Sequence, residues 1–248
     1  MEPLQRVLII DTSGRVGCVA LGESGRIVDR QMLSESRRHA RDLPARTNEM
    51  MAARGWMPSE IESLIVCIGP GSYTGLRVGV AAAKAFAFAT GCTLYAVPLF
   101  DVLAHGIEPG EQDLAIVSDA LQSNIYAATY RWTATGGWMK TAPLSIVALS
   151  DWTNRLKPGT WVTGPGVEMA AKQVGREVVI LEKGREATAE QFFSTVLGAP
   201  EEYRSSAWQI DPIYLRGSSA EEKRNRAVDS PDSRSGSIPP PELNVADP

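Results

Sequence analysis

Short apolar runs that end in polar turns alternate along this chain with longer segments of helical periodicity. Three strands are predicted first, at residues 7–11, 17–21 and 27–32, because each apolar run is bounded by turn residues. The polar, glycine-containing stretch at residues 23–25 suits a tight hairpin, so the three strands predict an antiparallel meander. We then expect helix 42–54, strand 64–68, helix 76–89, strand 93–97 and a short helix at 99–104. Pro44 is compatible with helix 42–54 only if it lies in the first turn, where its missing N–H is not needed.

The second part of the chain repeats this order of elements. Strands are predicted at 114–118, 125–132, 138–147, 161–163 and 178–181, and helices at 151–156, 167–174 and 189–197. A meander followed by alternating helices and strands, present twice, predicts an α/β protein with two stacked domains. We place the domains at residues 1–104 and 105–216.

Residues 217–248 differ in composition from the rest of the chain. Serine, proline and mixed charge dominate there, with Pro239, Pro240 and Pro241 near the end. Such a segment buries too little apolar surface to offset its ordering entropy, so we expect a disordered tail without chemistry of its own.

Charge and composition limit the classes of function. The net charge of −4 and the absence of a lysine or arginine block argue against independent tight binding of RNA. No apolar run approaches the ~18 residues of a membrane span, and the first residues lead directly into a strand. The three cysteines, Cys18, Cys67 and Cys92, have no paired spacing and suit buried small side chains. We therefore expect a cytoplasmic protein without a membrane partner.

A glycine-rich turn at residues 69–75 joins the fourth strand to the apolar helix. Its glycines, Gly69 and Gly71 among them, permit backbone N–H groups to converge on an anion at the helix N-terminus. The Gly-Lys-Ser/Thr sequence of a phosphate-binding loop is absent, since Leu76 and Arg77 follow the last glycine. The alternative is that the glycines shape a tight joint and allow another backbone to come close. Both interpretations stay open.

Polar residues also end the first strand. Asp11, Thr12 and Ser13 stand where a cation or a nucleotide phosphate can be held, or they cap the turn through their own backbone. Asp119 stands at the equivalent point of the second half, with the same two interpretations. We keep Asp11, Thr12, Ser13, Gly69 and Gly71 as candidate nucleotide or anion contacts.

The helix at residues 76–89 is apolar around most of its circumference. It carries only Arg77 and Lys84 as charged residues, so it needs cover on more than one side. One explanation is burial inside a larger monomer; the other, which we favour, is a partner subunit packed against it. The candidate interface residues share small or apolar side chains and are Tyr73, Leu76, Val78, Gly79, Ala82, Ala83 and Phe86.

Residue types for metal binding or nucleophilic catalysis are poorly represented. The two histidines, His39 and His105, form no HxxxH or HExxH pair, so no metal site is predicted. Ser72 is not in a Gly-x-Ser-x-Gly elbow, which disfavours a serine hydrolase.

Several of these segments together resemble the YeaZ (TsaB) family of bacterial tRNA threonylcarbamoyladenosine biosynthesis proteins. The segments are residues 8–13, 38–44, 69–79 and 213–216, and the likeness spans residues 4–216. The resemblance implies the actin-like fold of sugar kinases and Hsp70, with two tandem ribonuclease-H-like domains and mixed sheets. The catalytic relative, TsaD, carries an HxxxH metal pair after its fifth strand. The matching positions in this chain are Leu99 and Leu103.

The resemblance therefore implies a non-catalytic, accessory subunit of tRNA modification. It would pair with a TsaD-like catalytic subunit through the helix of residues 74–89, be joined by a TsaE-like ATPase, and pair with itself when alone. It would need no cofactor; ATP and a metal would belong to the partners, and tRNA would be met through the complex. The modified base is the adenosine beside the anticodon of tRNAs reading codons that begin with A.

Two other functions remain as alternatives. The first is a stand-alone ATP-dependent transferase of the sugar-kinase-like superfamily, which Asp11 and the glycine turn would serve. The second is a metalloprotease of the glycoprotease type, which the missing histidine pair disfavours most.

Overall fold

The computed structural model describes residues 4–35 and 39–215. The predicted tail at residues 217–248 and Arg216 of the last resemblance segment lie outside the described residues, as does Arg38. Met1–Ile213 forms one unit by its internal contacts. Tyr214–Pro248 forms a second unit, of which only residues 214 and 215 are described.

The first half begins with the predicted meander. Its elements are β1 (Arg6–Asp11), β2 (Val16–Glu23), β3 (Arg26–Glu35), α1 (His39–Ala53), β4 (Ser63–Gly69), α2 (Tyr73–Thr90), β5 (Thr93–Pro98) and α3 (Leu99–His105), with a 3₁₀ turn at Pro58–Glu60. β1 lies between β2, to which it is antiparallel, and β4, to which it is parallel. The continuous apolar run of β1 is buried on both faces, as expected of a central strand.

The second half repeats this arrangement. Its elements are β6 (Leu114–Asp119), β7 (Asn124–Thr133), β8 (Gly137–Ala148), α4 (Leu149–Thr153), β9 (Trp161–Thr163), α5 (Val167–Ala171), β10 (Val179–Ile180) and α6 (Ala189–Gly198). The strand order β10-β9-β6-β7-β8 matches the order β5-β4-β1-β2-β3 of the first sheet. The repeated order inferred from the sequence and the mixed α/β fold class are therefore confirmed.

Three buried clusters hold these layers together. Helices α1 and α2 cover one face of the first sheet, with Leu8, Leu64 and Val80 in that core. Helices α4 and α5 cover the outer face of the second sheet. Between the sheets, α3 and α6 share a core with both of them, and this core includes Phe100 and Phe192. The molecule is a stack of helices and sheets with α3 and α6 in the centre.

The end of the described chain returns to the first half. Helix α6 contacts β1 to β5, and after α7 (Pro200–Tyr203) the two-residue strand β11 (Arg204–Ser205) pairs with β5. The predicted boundary at residues 104/105 lies between strands β1 to β5 of the first sheet and strands β6 to β10 of the second. It does not separate all of their packed elements, because α6 and β11 follow the second sheet in the chain and pack on the first.

Helix α1 differs from its prediction in one respect. It begins at His39, so Pro44 lies inside the helix and not in its first turn. The helix interior tolerates this proline at the loss of one backbone hydrogen bond. The side chain of Pro44 is exposed, and Leu43, Met50 and Met51 supply the buried face.

Within residues 4–35 and 39–215, no helix combines the length and the hydropathy that crossing a bilayer requires.

The packing of α6 on the first sheet can be tested by truncating Phe193, which is 2% exposed and lies over Gly22 of β2. We expect Phe193→Ala to lower the free energy of unfolding by about 3–5 kcal/mol, since a cavity remains between α6 and the sheet. Met32→Ala on β3 serves as the control, because this side chain is 62% exposed. It should change the free energy of unfolding by less than about 0.5 kcal/mol. Urea unfolding of both variants measures the difference, and equal small effects would contradict this packing.

Candidate functional site

The turn that ends β1 is closed by its own side chains. Asp11 Oδ1 accepts hydrogen bonds from the Ser13 backbone N–H at 2.9 Å and from Ser13 Oγ at 2.6 Å. Thr12 is fully buried and Ser13 is 5% exposed. The Asp11 carboxylate thus caps the turn in the manner of an Asx-turn.

The glycine turn before α2 packs directly against this β1 turn. The Ser72 N–H donates to the Ser13 carbonyl at 2.7 Å, and Thr12 Oγ1 donates to the Gly75 carbonyl at 2.8 Å. A Cβ atom at Gly71 would collide with the Ser13 carbonyl. One at Gly75 would collide with the Thr12 carbonyl. The glycines therefore allow the start of α2 to contact the backbone of β1.

Three backbone N–H groups at the start of helix α2, those of Ser72, Gly75 and Leu76, are engaged inside the chain. Ser72 is the N-cap, its Oγ accepts from the Gly75 N–H at 3.2 Å, and its carbonyl accepts from the Leu76 N–H at 2.8 Å. With the Ser72 N–H bound to Ser13, this geometry supports the close-approach explanation of the glycines. The nucleotide or anion contact at Asp11, Thr12, Ser13, Gly69 and Gly71 stays a prediction.

The second half has a similar turn at the end of β6. Asp119 Oδ1 accepts from the Leu121 N–H at 2.6 Å. Leu121, Gln122 and Ser123 all have positive φ angles, of 64°, 54° and 61°. The carboxylate again closes its own turn, here one in the left-handed region.

The positions that correspond to the metal-binding histidines of the catalytic relative lie in the hydrophobic core. Leu99 is 5% exposed and Leu103 is fully buried, both in the cluster between the sheets. Across residues 4–35 and 39–215, no group of three or more His, Cys, Asp or Glu side chains is arranged to hold a metal. His39 is buried beside Gly17. Partial burial lowers the pKa of His105.

The cysteines are free thiols with weak acidity. Burial, followed by the charge of Asp11, raises the pKa of Cys18 to about 11 and that of Cys67 well above its usual value. Burial also raises the pKa of Cys92. A thiol must lose its proton to act as a nucleophile or metal ligand, so these environments disfavour both roles at neutral pH.

Helix α2 presents two different faces. Its buried face consists of Gly75, Leu76, Gly79, Val80, Ala83 and Ala87, which pack on the first sheet and the Asp11–Ser13 turn. Three residues predicted for a partner interface, Leu76, Gly79 and Ala83, are on this face. The structure corrects the prediction for them, because their surface is already covered by the chain itself. Tyr73, Val78, Ala82 and Phe86 remain half-buried.

The opposite face carries an uncharged row that the sequence prediction mostly missed. Thr74, Val78, Ala81, Ala85 and Phe88 follow one another at spacings of three or four residues, and we call them the outer stripe. All are exposed except the half-buried Val78, and Phe88 is 73% exposed. The three- and four-residue spacing that starts at Thr74 was the available signal. Because the sequence shows a helix that is apolar around most of its circumference, this spacing alone could not show which residues face outward.

One flank of α2 is covered by residues 206–213, which the sequence did not suggest. Ile210 is buried in the core beneath α2, Lys84 pairs with Asp211 at 3.2 Å, and Phe88 meets Trp208 edge-on at 5.7 Å between ring centroids. Both rings remain mostly exposed, Trp208 at 80%. The expectation that the chain has no second layer beside α2 is thus corrected for this flank, while the outer stripe stays open.

Two sheets that share the same order of five strands, with helices between and outside them, define an actin-like α/β protein built from two ribonuclease-H-like halves. The family model described as TsaD, tRNA N6-adenosine threonylcarbamoyltransferase, matches residues 32–148. A YeaZ structure from Pseudomonas aeruginosa aligns with a TM-score of 0.69 at 22% identity, over 85% of this chain and all of that one. Another, titled an uncharacterized protein with similarity to peptidase YEAZ from the same organism, gives 0.71 at 23% identity, over 86% of this chain and all of that one.

Sequence relatives agree with the fold. The tRNA threonylcarbamoyladenosine biosynthesis protein TsaB of Escherichia coli is 25% identical over 226 residues, covering 88% of this chain and 97% of that protein. The TsaB protein of Bacillus subtilis is 28% identical over 152 residues, covering 61% of this chain and just under two thirds, 66%, of that protein. In sequence and in fold, the chain is similar to the TsaB (YeaZ) proteins.

The close contact between α2 and the β1 turn makes a specific prediction for Gly79, where a Cβ would collide with Thr12 Oγ1. Gly79→Ala should lower the free energy of unfolding by about 1–3 kcal/mol through this overpacking, although alanine favours helices. Gly198→Ala, at the last residue of α6, has room for its Cβ 3.6 Å from His105 and should be neutral or stabilising. If thermal or urea unfolding shows both variants gaining stability, the contact is not as described.

Proposed function

We propose that this chain is an accessory, non-catalytic subunit in the synthesis of threonylcarbamoyladenosine in tRNA. It pairs through the outer stripe of α2 with a TsaD-like catalytic subunit, and a TsaE-like ATPase joins the pair. The complex modifies the adenosine beside the anticodon of tRNAs that read codons beginning with A. The observation that carries the proposal is the uncovered outer face of α2 in a chain that is similar to the TsaB proteins.

The outer stripe has the properties of a helix-pairing surface. Its two alanines let a partner helix come close, and Phe88 offers a large side chain at one end. The two cations of α2 are held away from it, since Arg77 stacks over Tyr73 at 4.2 Å and Lys84 pairs with Asp211. Because the outer stripe is uncharged and the neighbouring cations interact with other side chains, its removal from water costs little free energy.

The rest of the chain supports an accessory role. The leucines at the metal positions lie in the core, the Asp11 carboxylate is bound to its own turn, and the thiols are weakly acidic. The chain itself requires no cofactor; ATP and a metal belong to the partner subunits. With a net charge of −4, it meets tRNA through the complex, in the cytoplasm.

Pairing can be tested by placing a charge on the outer stripe without disturbing the fold. Ala85→Glu changes an exposed side chain and should leave stability within about 0.5 kcal/mol of the original. It should weaken binding to the catalytic subunit by about 100-fold or more, since an unpaired carboxylate would be buried. Ala171→Glu, at an exposed alanine of α5 in the second half, is the matched control and should bind normally.

Calorimetry measures binding to the catalytic subunit, and size-exclusion chromatography with light scattering verifies the complex. The same chromatography, applied to each variant alone, measures self-pairing of the chain. Because an isologous patch can meet its own copy, the chain alone should form a dimer that Ala85→Glu disrupts. Unchanged binding of Ala85→Glu to both the catalytic subunit and itself would refute the outer stripe as the interface.

The alternative of a stand-alone ATP-dependent transferase gives a separate expectation. Because the Ser72 N–H and the Asp11 carboxylate are engaged within the chain, calorimetry with ATP and Mg²⁺ should show no saturable binding by the purified protein. Tight, Mg²⁺-dependent binding that Asp11→Asn abolishes would favour the transferase instead.

A further inference from the structure

A cleft of about 540 Å³ opens between the β7–β8 hairpin on one side and helices α3, α6 and α7 on the other. No residue of the Asp11–Ser13 turn, the glycine turn or α2 lines it. Its volume is in the range of small-ligand sites, which run from about 300 to 1,000 Å³. The cleft is therefore large enough for a function separate from pairing through α2.

The hairpin wall of the cleft is built from two cross-strand pairs. Tyr130 lies opposite Lys140, and Trp132 lies opposite Trp138, two residues further toward the turn. Side chains two residues apart on a strand share a face, so all four line the same surface. The two indoles meet edge-on with their centroids 5.8 Å apart, and the Trp138 N–H is held by the Ile107 carbonyl at 2.9 Å. The wall is an ordered aromatic surface.

The inner end of the cleft already binds an ammonium group, that of Lys140. Its Nζ is 2.9 Å from Asp101 Oδ1 and 5.6 Å from the ring centroid of Tyr130. The Tyr130 hydroxyl donates to the same carboxylate oxygen at 2.7 Å. A carboxylate together with an aromatic face is the combination that recognises organic cations.

The remaining lining is short of positive charge. Asp101 pairs with Lys140 and Glu108 pairs with Lys183 at 3.4 Å, which leaves Glu202 as a third carboxylate of the lining. Burial lowers the pKa of His105, so it adds little charge at neutral pH. In the part of the chain that the structure describes, no cation lies within ion-pair distance of Glu202, which stands beside Tyr203 on α7. At this end of the cleft, the carboxylate of Glu202 and the ring of Tyr203 supply acceptors and aromatic surface.

We propose that the cleft is a binding site for an organic cation, an alkylammonium or a guanidinium on an aliphatic chain. The charged group meets Glu202 and the ring of Tyr203. The aliphatic part lies against the rings of Trp132 and Trp138. An anion is disfavoured by the carboxylate of Glu202, and a neutral aliphatic ligand leaves that carboxylate without a counter-charge. This chemistry can come from a free polyamine or from an arginine or lysine side chain of a protein.

The test measures binding of three probes to the full chain, by calorimetry and by the fluorescence of the cleft tryptophans. The probes are spermidine, a short arginine-containing peptide, and 1,8-octanediol as an uncharged aliphatic control. We expect saturable binding of at least one cationic probe, weakened by added salt, and none of the diol. Tighter binding of spermidine identifies a free polyamine as the source, and tighter binding of the peptide identifies a protein side chain.

Two variants locate the site. Glu202→Gln removes the unpaired carboxylate and Trp132→Ala removes aromatic surface; each should weaken binding of the cation by about fivefold or more. Glu62→Gln, at an exposed carboxylate outside the cleft, should bind as the original chain does. Urea unfolding verifies that the variants remain folded. The proposal is overturned if no cationic probe saturates, if the diol binds equally well, or if neither Glu202→Gln nor Trp132→Ala weakens binding.

Discussion

The contact between the start of helix α2 and the turn that follows β1 determines how this molecule is arranged. Thr12 Oγ1 donates to the Gly75 carbonyl, the Ser72 N–H donates to the Ser13 carbonyl, and Gly79 lies against Thr12. Any side chain at these glycines would push the helix away from the sheet. Because the contact fixes the rotation of α2 about its axis, it also determines which residues face the core and which face outward.

That rotation connects the fold to the proposed function. With Leu76, Gly79 and Ala83 turned inward, the outer stripe is left uncovered, and the segment at residues 206–213 covers only one flank. The same contact engages the Ser72 N–H and the Thr12 hydroxyl within the chain. The Asp11 carboxylate is bound within its own turn, while the outer stripe of α2 remains exposed except at Val78. The aromatic cleft beside β7 and β8 is a second surface, with a different chemistry.

Most of the fold could be predicted from the sequence because its strands are short, continuous apolar runs ended by polar turns. β1, β4 and β6 were placed to within one residue, and the repeated order of elements was apparent. β11 and α7 were missed, since two to four residues carry no periodic signal. The helix that carries the candidate interface was identified, but not its outward face. Leu76 and Val78 are equally apolar, and the choice between them is made by Thr12, which is distant in the chain. Likewise, nothing in the sequence pattern shows that Lys140 and Asp101 meet across the cleft.

The central claim is that the outer stripe becomes buried when the chain binds its partner. The most direct measurement is the alkylation rate of an Ala85→Cys variant, alone at low concentration and after addition of the catalytic subunit, with co-elution confirming the complex. The native thiols give a low background, because their pKa values are raised. The account predicts rapid alkylation of the isolated variant and strong protection in the complex. Equal rates in both states, with the complex demonstrably formed, would contradict it.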